Sequence, residues 1–176
     1  MIEGINPLTD RRWLIDAATI GQGKTGRIEA SSAECLAVAS AMDLVGCAAL
    51  AIGYDVKPTS RHRFRLRAQL EADVVQACVV TLEPVPAKLE EAAESEFVPD
   101  GEAPLSVPDV PLDVLSAPVI ETYANGRIDL GQIAFELLSV SLDPYPKKDG
   151  AELPGAAGGG AQSLSSFAAL AKLRKD

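Results

Sequence analysis

RHRFRLRAQLEADV, residues 61–74, is the stretch that decides the fold of this chain. From residue 63 onward, apolar and polar side chains alternate without interruption for twelve residues. A period of two over this length predicts a long β-strand with one face in a core and the other in water. The positions predicted to face the core are Phe64, Leu66, Ala68, Leu70, Ala72 and Val74.

The segments next to this strand extend the predicted sheet. Residues Cys47–Val56 form an apolar run that ends at Lys57-Pro58, which favours a strand followed by a turn. Residues 85–98 continue the extended pattern, although Ala87–Ala93 fits a helix equally well. Weaker extended patterns cover residues 13–20, 27–30 and 76–83, with a turn expected at residues 21–26.

One helix is predicted on the N-terminal side of the central strand. Ser31 is a suitable N-cap, and Glu34 lies three residues later, as in a capping box. We expect the helix to cover Ser32–Leu44 and Gly46 to follow its end. Its apolar face consists of Cys35, Val38, Ala39 and Met42.

A second helix is predicted near the C-terminus, over Leu130–Leu142. Asp129 is its N-cap, Asn125-Gly126 forms a turn before it, and Pro144 with Pro146 stops it. The apolar positions at helical spacing are Leu130, Ile133, Ala134, Leu137 and Leu138.

These elements predict an α+β fold, in which two main helices pack on an antiparallel, twisted sheet, with a partly closed barrel as an open alternative for the form of the sheet. We assign residues 1–146 to a single domain with an acidic, proline-rich loop at about 99–118. A glycine-rich linker at 147–162 then leads to a short amphipathic C-terminal helix at 163–176.

The composition argues against several classes of function. The net charge is −9 and the pI is about 4.6, so phosphate backbones are repelled and any RNA contact requires a local basic patch. We expect no DNA partner. The odd cysteine count and the absence of a signal-like N-terminus favour reduced thiols and a cytoplasmic location. No stretch of 18 apolar residues is present, so no membrane association is expected.

No combination of residues in the chain indicates catalysis or metal binding. His62 is the only histidine and lies between two arginines, which disfavours a role as general base. The cysteines Cys35, Cys47 and Cys78 contain no Cys-x-x-Cys pair. We therefore expect no catalytic residue, no metal and no cofactor.

Arginines alternate along the first part of the central strand and form the leading candidate for RNA binding. Side chains two residues apart lie about 6.6 Å apart on one strand face, a spacing that suits successive phosphates. The alternative is a solubilising face whose arginines pair with acidic side chains on a neighbouring strand. The four residues are Arg61, Arg63, Arg65 and Arg67.

A second set of candidates lies at the C-terminal end. Tyr145 sits between two prolines, and the terminal segment is too short to be a stable helix alone, so it either docks on the domain or binds a partner. Its candidate partner-binding residues are Phe167, Leu170, Lys172, Leu173 and Arg174.

Three segments, read in order, resemble the YceD-like family. They are residues 77–85 (ACVVTLEPV), residues 128–131 (IDLG) with the helix that ends in Pro144-Tyr145-Pro146, and residues 166–174 (SFAALAKLR). The residues that carry the resemblance are Cys78, Leu82, Glu83, Pro84, Asp129, Leu130, Pro144 and Pro146.

The resemblance implies a bacterial, cytosolic protein that supports the accumulation of large-subunit ribosomal RNA, with no catalytic residues to carry over. Thr81 stands where many members have a second cysteine, so a zinc role is in doubt for this chain. The leading hypothesis is a non-catalytic ribosome-biogenesis factor that binds ribosomal RNA or a ribosomal protein of the large subunit. A small-ligand-binding protein or enzyme, which needs a deep apolar pocket, stays open as an alternative, as does a regulatory protein–protein adaptor.

Overall fold

The computed structural model of the chain describes residues 6–102 and 119–151. Two short 3-10 turns, at Arg11–Trp13 and Ala17–Thr19, flank the first strand. The strands are β1 (Leu14–Asp16), β2 (Lys24–Glu29), β3 (Gly46–Ser60), β4 (Arg63–Ala77), β5 (Pro84–Pro99), β6 (Val119–Tyr123) and β7 (Arg127–Asp129), and the helices are α1 (Ser32–Ala41) and α2 (Leu130–Ser141). The α+β class is confirmed.

The main sheet has five strands in the order β2-β3-β4-β5-β6. The first four strands are antiparallel to their neighbours, whereas β6 runs parallel to β5. Strands β1 and β7 form a separate antiparallel pair. In the part of the chain that the structure describes, β2 and β6 are the two edges and do not pair, so the possible barrel is not found there.

Strand β4 lies at the centre of the sheet and has the alternation that its sequence predicts. Its even-numbered residues from Phe64 to Val74 are buried, and Leu70 is 0% exposed. They join a core shared with α1 and α2, which cover this inner face of the sheet. Burying one such leucine side chain contributes about 1.5–3 kcal/mol, so this face supplies much of the stability.

Helix α1 begins as predicted but ends earlier. The Ser31 hydroxyl accepts the N–H of Glu34 (3.3 Å), and the Glu34 carboxylate accepts the N–H of Ser31 (2.7 Å), which completes a capping box. The helix stops at Ala41 instead of Leu44, because Asp43 adopts a left-handed backbone conformation with φ 54°.

Helix α2 matches its prediction to within one residue. The Asp129 carboxylate accepts the N–H of Gln132 at 3.0 Å, and the helix ends at Ser141. A Cβ atom at Gly131 would lie 2.1 Å from the carbonyl oxygen of Leu8, so only glycine permits this contact between α2 and the N-terminal segment.

Two predicted turns are misplaced. Lys57-Pro58 does not end β3, which continues to Ser60, and an irregularity in the β3–β4 pairing lies between Pro58 and Ser60. The reversal comes at residues 61–62, where His62 takes φ 63°. Near the N-terminus, β2 starts at Lys24, inside the predicted turn at 21–26, and only residues 14–16 of the predicted strand at 13–20 are extended.

The predicted extended segment at residues 76–83 is wrong beyond Ala77. Strand β4 ends at Ala77, and residues 78–83 form a tight loop in which Leu82 has φ 61°. Pro84 begins β5. The alternative of a helix over Ala87–Ala93 is excluded, since β5 pairs with β4 along this whole stretch.

Candidate functional site

The face of the main sheet opposite the helices carries three of the four arginines that were predicted to form a row. We call this surface the outer face. Arg63, Arg65 and Arg67 project from β4 with side chains 41%, 47% and 65% exposed. Arg61 is not part of the row, because the chain reverses at residues 61–62 and β4 begins only at Arg63.

Each of these arginines lies beside a carboxylate. Strand β5 places Glu96 opposite Arg65 and Glu94 opposite Arg67. The Nε of Arg67 is 2.8 Å from Glu94 Oε2, and the Nε of Arg65 is 3.5 Å from Glu94 Oε1. Hydrogen bonding to Glu94 raises the pKa of Arg67. Arg63 lies 3.9 Å from both Glu96 and Glu102.

This geometry corresponds to the second interpretation of the arginine row, a face whose charges are compensated across strands. Phosphates would have to displace Glu94 and Glu96 from the guanidinium groups in order to bind there. RNA binding by the arginines stays a prediction.

Beyond the arginines, the outer face is lined by small side chains. The strand register aligns Gly53, Gln69 and Ala92 in one row across β3, β4 and β5. An open depression of about 510 Å³ lies over this row. Next to it, a second depression of about 200 Å³ has Ala49 and Ala51 in its lining. We call these two adjoining depressions the trough.

Carboxylates surround the trough. Glu71 and Glu90 lie directly opposite each other on β4 and β5. Arg27 of β2 forms a two-point ion pair with Glu71 (2.8 and 3.0 Å), and this pair lowers the pKa of Glu71. Lys88 lies 3.6 Å from Asp73.

Asp55, at the rim of the larger depression, has one satisfied and one unsatisfied oxygen. Its Oδ2 lies 2.9 Å from Lys57 Nζ. Its Oδ1 is buried and accepts no hydrogen bond from any described residue. A buried acceptor without a donor costs free energy.

Two of the segments that carry the family resemblance meet at one end of the main sheet. The N–H of Val79 donates to the carbonyl oxygen of Pro146 (2.8 Å), and Lys148 Nζ lies 3.0 Å from Glu83 Oε2. The ion pair with Lys148 lowers the pKa of Glu83. We call residues 78–84 and 144–148 together the motif end. Both prolines after α2 belong to it, with Pro144 exposed and Pro146 buried.

Cys78 is the centre of the motif end. Its side chain is fully buried, and its sulfur accepts N–H groups from Lys148 (3.4 Å), Val80 and Thr81 (both 3.5 Å). These bonds, led by the one from Lys148, lower the pKa of the thiol to about 6. Thr81 itself bonds to Glu83 at 3.2 Å.

The motif end also exposes apolar side chains. Val79, Leu82 and Tyr145 are 52%, 78% and 76% exposed, and partner binding by Tyr145 stays a prediction. The other predicted partner-binding residues lie outside the described residues: Phe167, Leu170, Lys172, Leu173 and Arg174. The same holds for most of the acidic loop and for the linker beyond residue 151.

Asp55, Glu94 and Lys148 are among the contributors to these surfaces that were not predicted from the sequence. For Glu94 a signal was present, because Glu90, Glu94 and Glu96 occupy positions of equal parity in β5. Asp55 and Lys148 gave no local signal, since their roles depend on residues distant in sequence.

Two further observations concern the general character of the molecule. Neither α1 nor α2, the helices of the described part, has the length and hydrophobicity needed to cross a membrane. Within residues 6–102 and 119–151, no three His, Cys, Asp or Glu side chains are grouped as a metal ion would need.

Comparison with known proteins gives one match. A family model described as "Large ribosomal RNA subunit accumulation protein YceD" matches residues 66–174, which is more than half of the 176-residue chain. The matched range contains most of β4 and all of β5, the motif end and α2. No curated protein and no solved structure matches the chain.

Proposed function

Because this chain belongs to the YceD family, we propose that it is a non-catalytic, cytoplasmic ribosome-biogenesis factor that supports accumulation of large-subunit ribosomal RNA. Its partner in this proposal is ribosomal RNA or a ribosomal protein of the large subunit. The observation that carries the proposal is the family match over residues 66–174.

The character of the surfaces supports a binding role. The depressions on the outer face are open to solvent and floored by small residues, unlike the deep apolar pockets that enclose small ligands. His62 lies exposed in the turn between β3 and β4, at the opposite end of β4 from Cys78 of the motif end. Binding through extended surfaces therefore accounts for more of the molecule than chemistry at one point does.

Two surfaces are available for this role. The outer face offers paired charges and the trough, and the motif end offers exposed Leu82 and Tyr145 over a well-bonded loop. The segment at 163–176 adds apolar and basic residues within the family match, which extends to residue 174. We propose that the factor holds its partner through these surfaces during assembly of the large subunit.

The proposal is tested by removing the protein from its native cell and following the ribosomal subunits. We expect the ratio of large-subunit to small-subunit ribosomal RNA to fall, and the wild-type gene to restore it. The tagged protein should also sediment with precursors of the large subunit in a density gradient after crosslinking. An unchanged RNA ratio, with the protein wholly in the free fraction, contradicts the proposal.

A further inference from the structure

We infer that the trough on the outer face binds an extended, basic polypeptide segment that presents arginine or lysine side chains. The inference rests on the proposed function for the source of that segment, since ribosomal proteins are basic. It goes beyond that function by choosing protein over RNA as the occupant of this face. Four features of the described residues support it.

The first feature is the shape of the floor. Gly53 and Ala92 flank Gln69 in the larger depression, and Ala49 and Ala51 continue the line of small side chains along β3. On a sheet face, small side chains in successive rows leave a shallow channel. The aliphatic stems of arginine or lysine fill such a channel while the charged ends reach its rim.

The second feature is the charge around this floor. In the rows that contain Gly53, Ala51 and Ala49, carboxylates outnumber cations, so the local potential is negative. The strand register places these side chains on the outer face: Arg27 and Lys88 as the cations, and Glu29, Glu71, Asp73 and Glu90 as the carboxylates.

The ion pairs do not neutralise all of these carboxylates. Arg27 is shared between Glu71 at 2.8 Å and Glu29 at 3.4 Å. Glu90 faces Glu71, a residue of the same charge, and forms no ion pair within 4 Å with any described residue. Like charges that face each other on neighbouring strands are unfavourable, and a cation bound between them relieves the repulsion.

The third feature is the carboxylate of Asp55, which lines the larger depression and keeps 31% of its side-chain surface exposed. A guanidinium or ammonium group placed there would add a second cation to Lys57, whose Nζ lies 2.9 Å from Oδ2 of Asp55. RNA phosphates carry the same charge as this carboxylate and are acceptors only, so they add repulsion.

The fourth feature is the spacing of the outer-face side chains along each strand. Outer-face positions on one strand repeat every second residue, about 6.8 Å apart, and an extended peptide presents its own alternate side chains at the same interval. A strand-like basic segment therefore places successive cations against successive rows. The carboxylates available along this path are Asp55, Glu94, Glu71 and Glu90.

The test uses the full-length chain and a fluorescent peptide in which arginine alternates with glycine, measured by anisotropy at low and moderate salt. Glu90→Gln should weaken binding about fivefold. Its matched control is Glu91→Gln, which removes the same charge from the next residue of β5, opposite Leu70 on the inner side of the register. We expect this control to bind as the wild type does.

Two further variants strengthen the measurement. Asp55→Asn keeps the shape of the side chain, removes its charge and should also weaken binding. Thermal unfolding of every variant establishes that the fold is intact. A peptide with citrulline in place of arginine keeps the shape without the charge and should bind far more weakly than the arginine peptide.

Arg67→Gln distinguishes a protein occupant from an RNA occupant, because it should change the two binding affinities in opposite directions. It removes the nearer of the two cations beside Glu94 and leaves Arg65 at 3.5 Å, so the basic peptide should bind this variant more tightly than the wild type. A single-stranded oligouridine probe responds in the opposite direction if RNA is the occupant, since the variant loses a cation.

The inference is overturned if Glu90→Gln and Glu91→Gln bind the peptide equally, or if oligouridine binds the outer face and loses affinity in Arg67→Gln. These outcomes leave the proposed function standing if the protein still sediments with precursors of the large subunit. Conversely, if the protein never joins such precursors but binds the peptide through Glu90, only the proposed function is contradicted.

Discussion

The two faces of β4 are built from one alternating sequence but have different physical tasks. On the inner face, Leu66 and Leu70 are at most 1% exposed and pack beneath the two helices. On the outer face, Arg65 and Arg67 keep about half or more of their side-chain surface in water while they pair with Glu94. The inner face therefore sets stability, whereas the outer face is where we propose that a partner binds.

This difference shows where substitutions should affect folding and where they should affect binding. Exposed ion pairs contribute little to stability, because solvent already satisfies the separated charges. Buried apolar side chains contribute much more, because their loss leaves a cavity. Each prediction below tests this division, or a place where it fails.

The largest effect is expected from the inner face. Leu70→Ala should lower the free energy of unfolding by about 3 kcal/mol, because Leu70 is fully buried in the common core. The matched substitution on the outer face is Gln69→Ala, for which we expect a change within about 0.5 kcal/mol. Urea denaturation of both variants measures the contrast. Similar losses from the two variants would show that the outer face is also part of the stabilising core.

The next largest effect on stability is expected at Cys78, which follows the end of β4. Here a buried side chain is charged, so the division between an apolar and a charged face fails. Cys78 is as buried as Leu70, yet its N–H donors lower the pKa of the thiol from 9.0 to about 6. Between pH 6 and pH 9 the folded protein has released a proton that the unfolded chain still holds. The contribution of Cys78 to the free energy of unfolding should therefore rise with pH across this window. It should be complete above pH 9 and be lost below pH 6.

Chemical denaturation across this pH range, with Cys78→Ala as reference, measures the effect. The variant should lack the rise that the wild type shows. Cys47 does not interfere, because burial raises the pKa of its thiol to about 12 and its contribution changes only above pH 9. Parallel pH profiles for wild type and variant would mean that Cys78 remains a thiol.

The inner face was predictable from sequence, because a period of two and a capping box are local signals. The buried set of β4 and the start of α1 at Ser31 follow from residues within a few positions of one another. The ends of the elements were less predictable. Leu82 adopts a left-handed conformation that leucine rarely takes, and Asp43 adopts one that aspartate tolerates, so tertiary contacts decide where the chain turns.

The outer face was predictable only in part. The alternation placed Arg63, Arg65 and Arg67 on one side, but their pairing with Glu94 and Glu96 depends on the register between β4 and β5. That register follows from the loop at residues 78–83, which had been taken as extended. A residue such as Lys148, which reaches Cys78 and Glu83 across about seventy positions, gives no signal in a single sequence.

A smaller effect is expected where α2 starts to cover the inner face. Asp129→Ala should lower the free energy of unfolding by about 1 kcal/mol, because the N–H of Gln132 loses its acceptor. Asp129→Asn keeps a capping oxygen and should remain close to the wild type. Thermal unfolding distinguishes the two. Equal losses would indicate that charge at this position matters more than the cap.

The smallest effect on stability is expected from the ion pair between Arg27 and Glu71 on the outer face. Although this ion pair is bidentate, both side chains are nearly half exposed, at 46% and 45%. A double-mutant cycle with Arg27→Gln and Glu71→Gln should give a coupling below the effect of Asp129→Ala, and high salt should reduce it further. A large, salt-insensitive coupling would mean that the outer face is held rigid by its charges. In that case Arg27 and Glu71 would not be available to exchange partners, and a basic segment would have to rely on Glu90 and Asp55 instead.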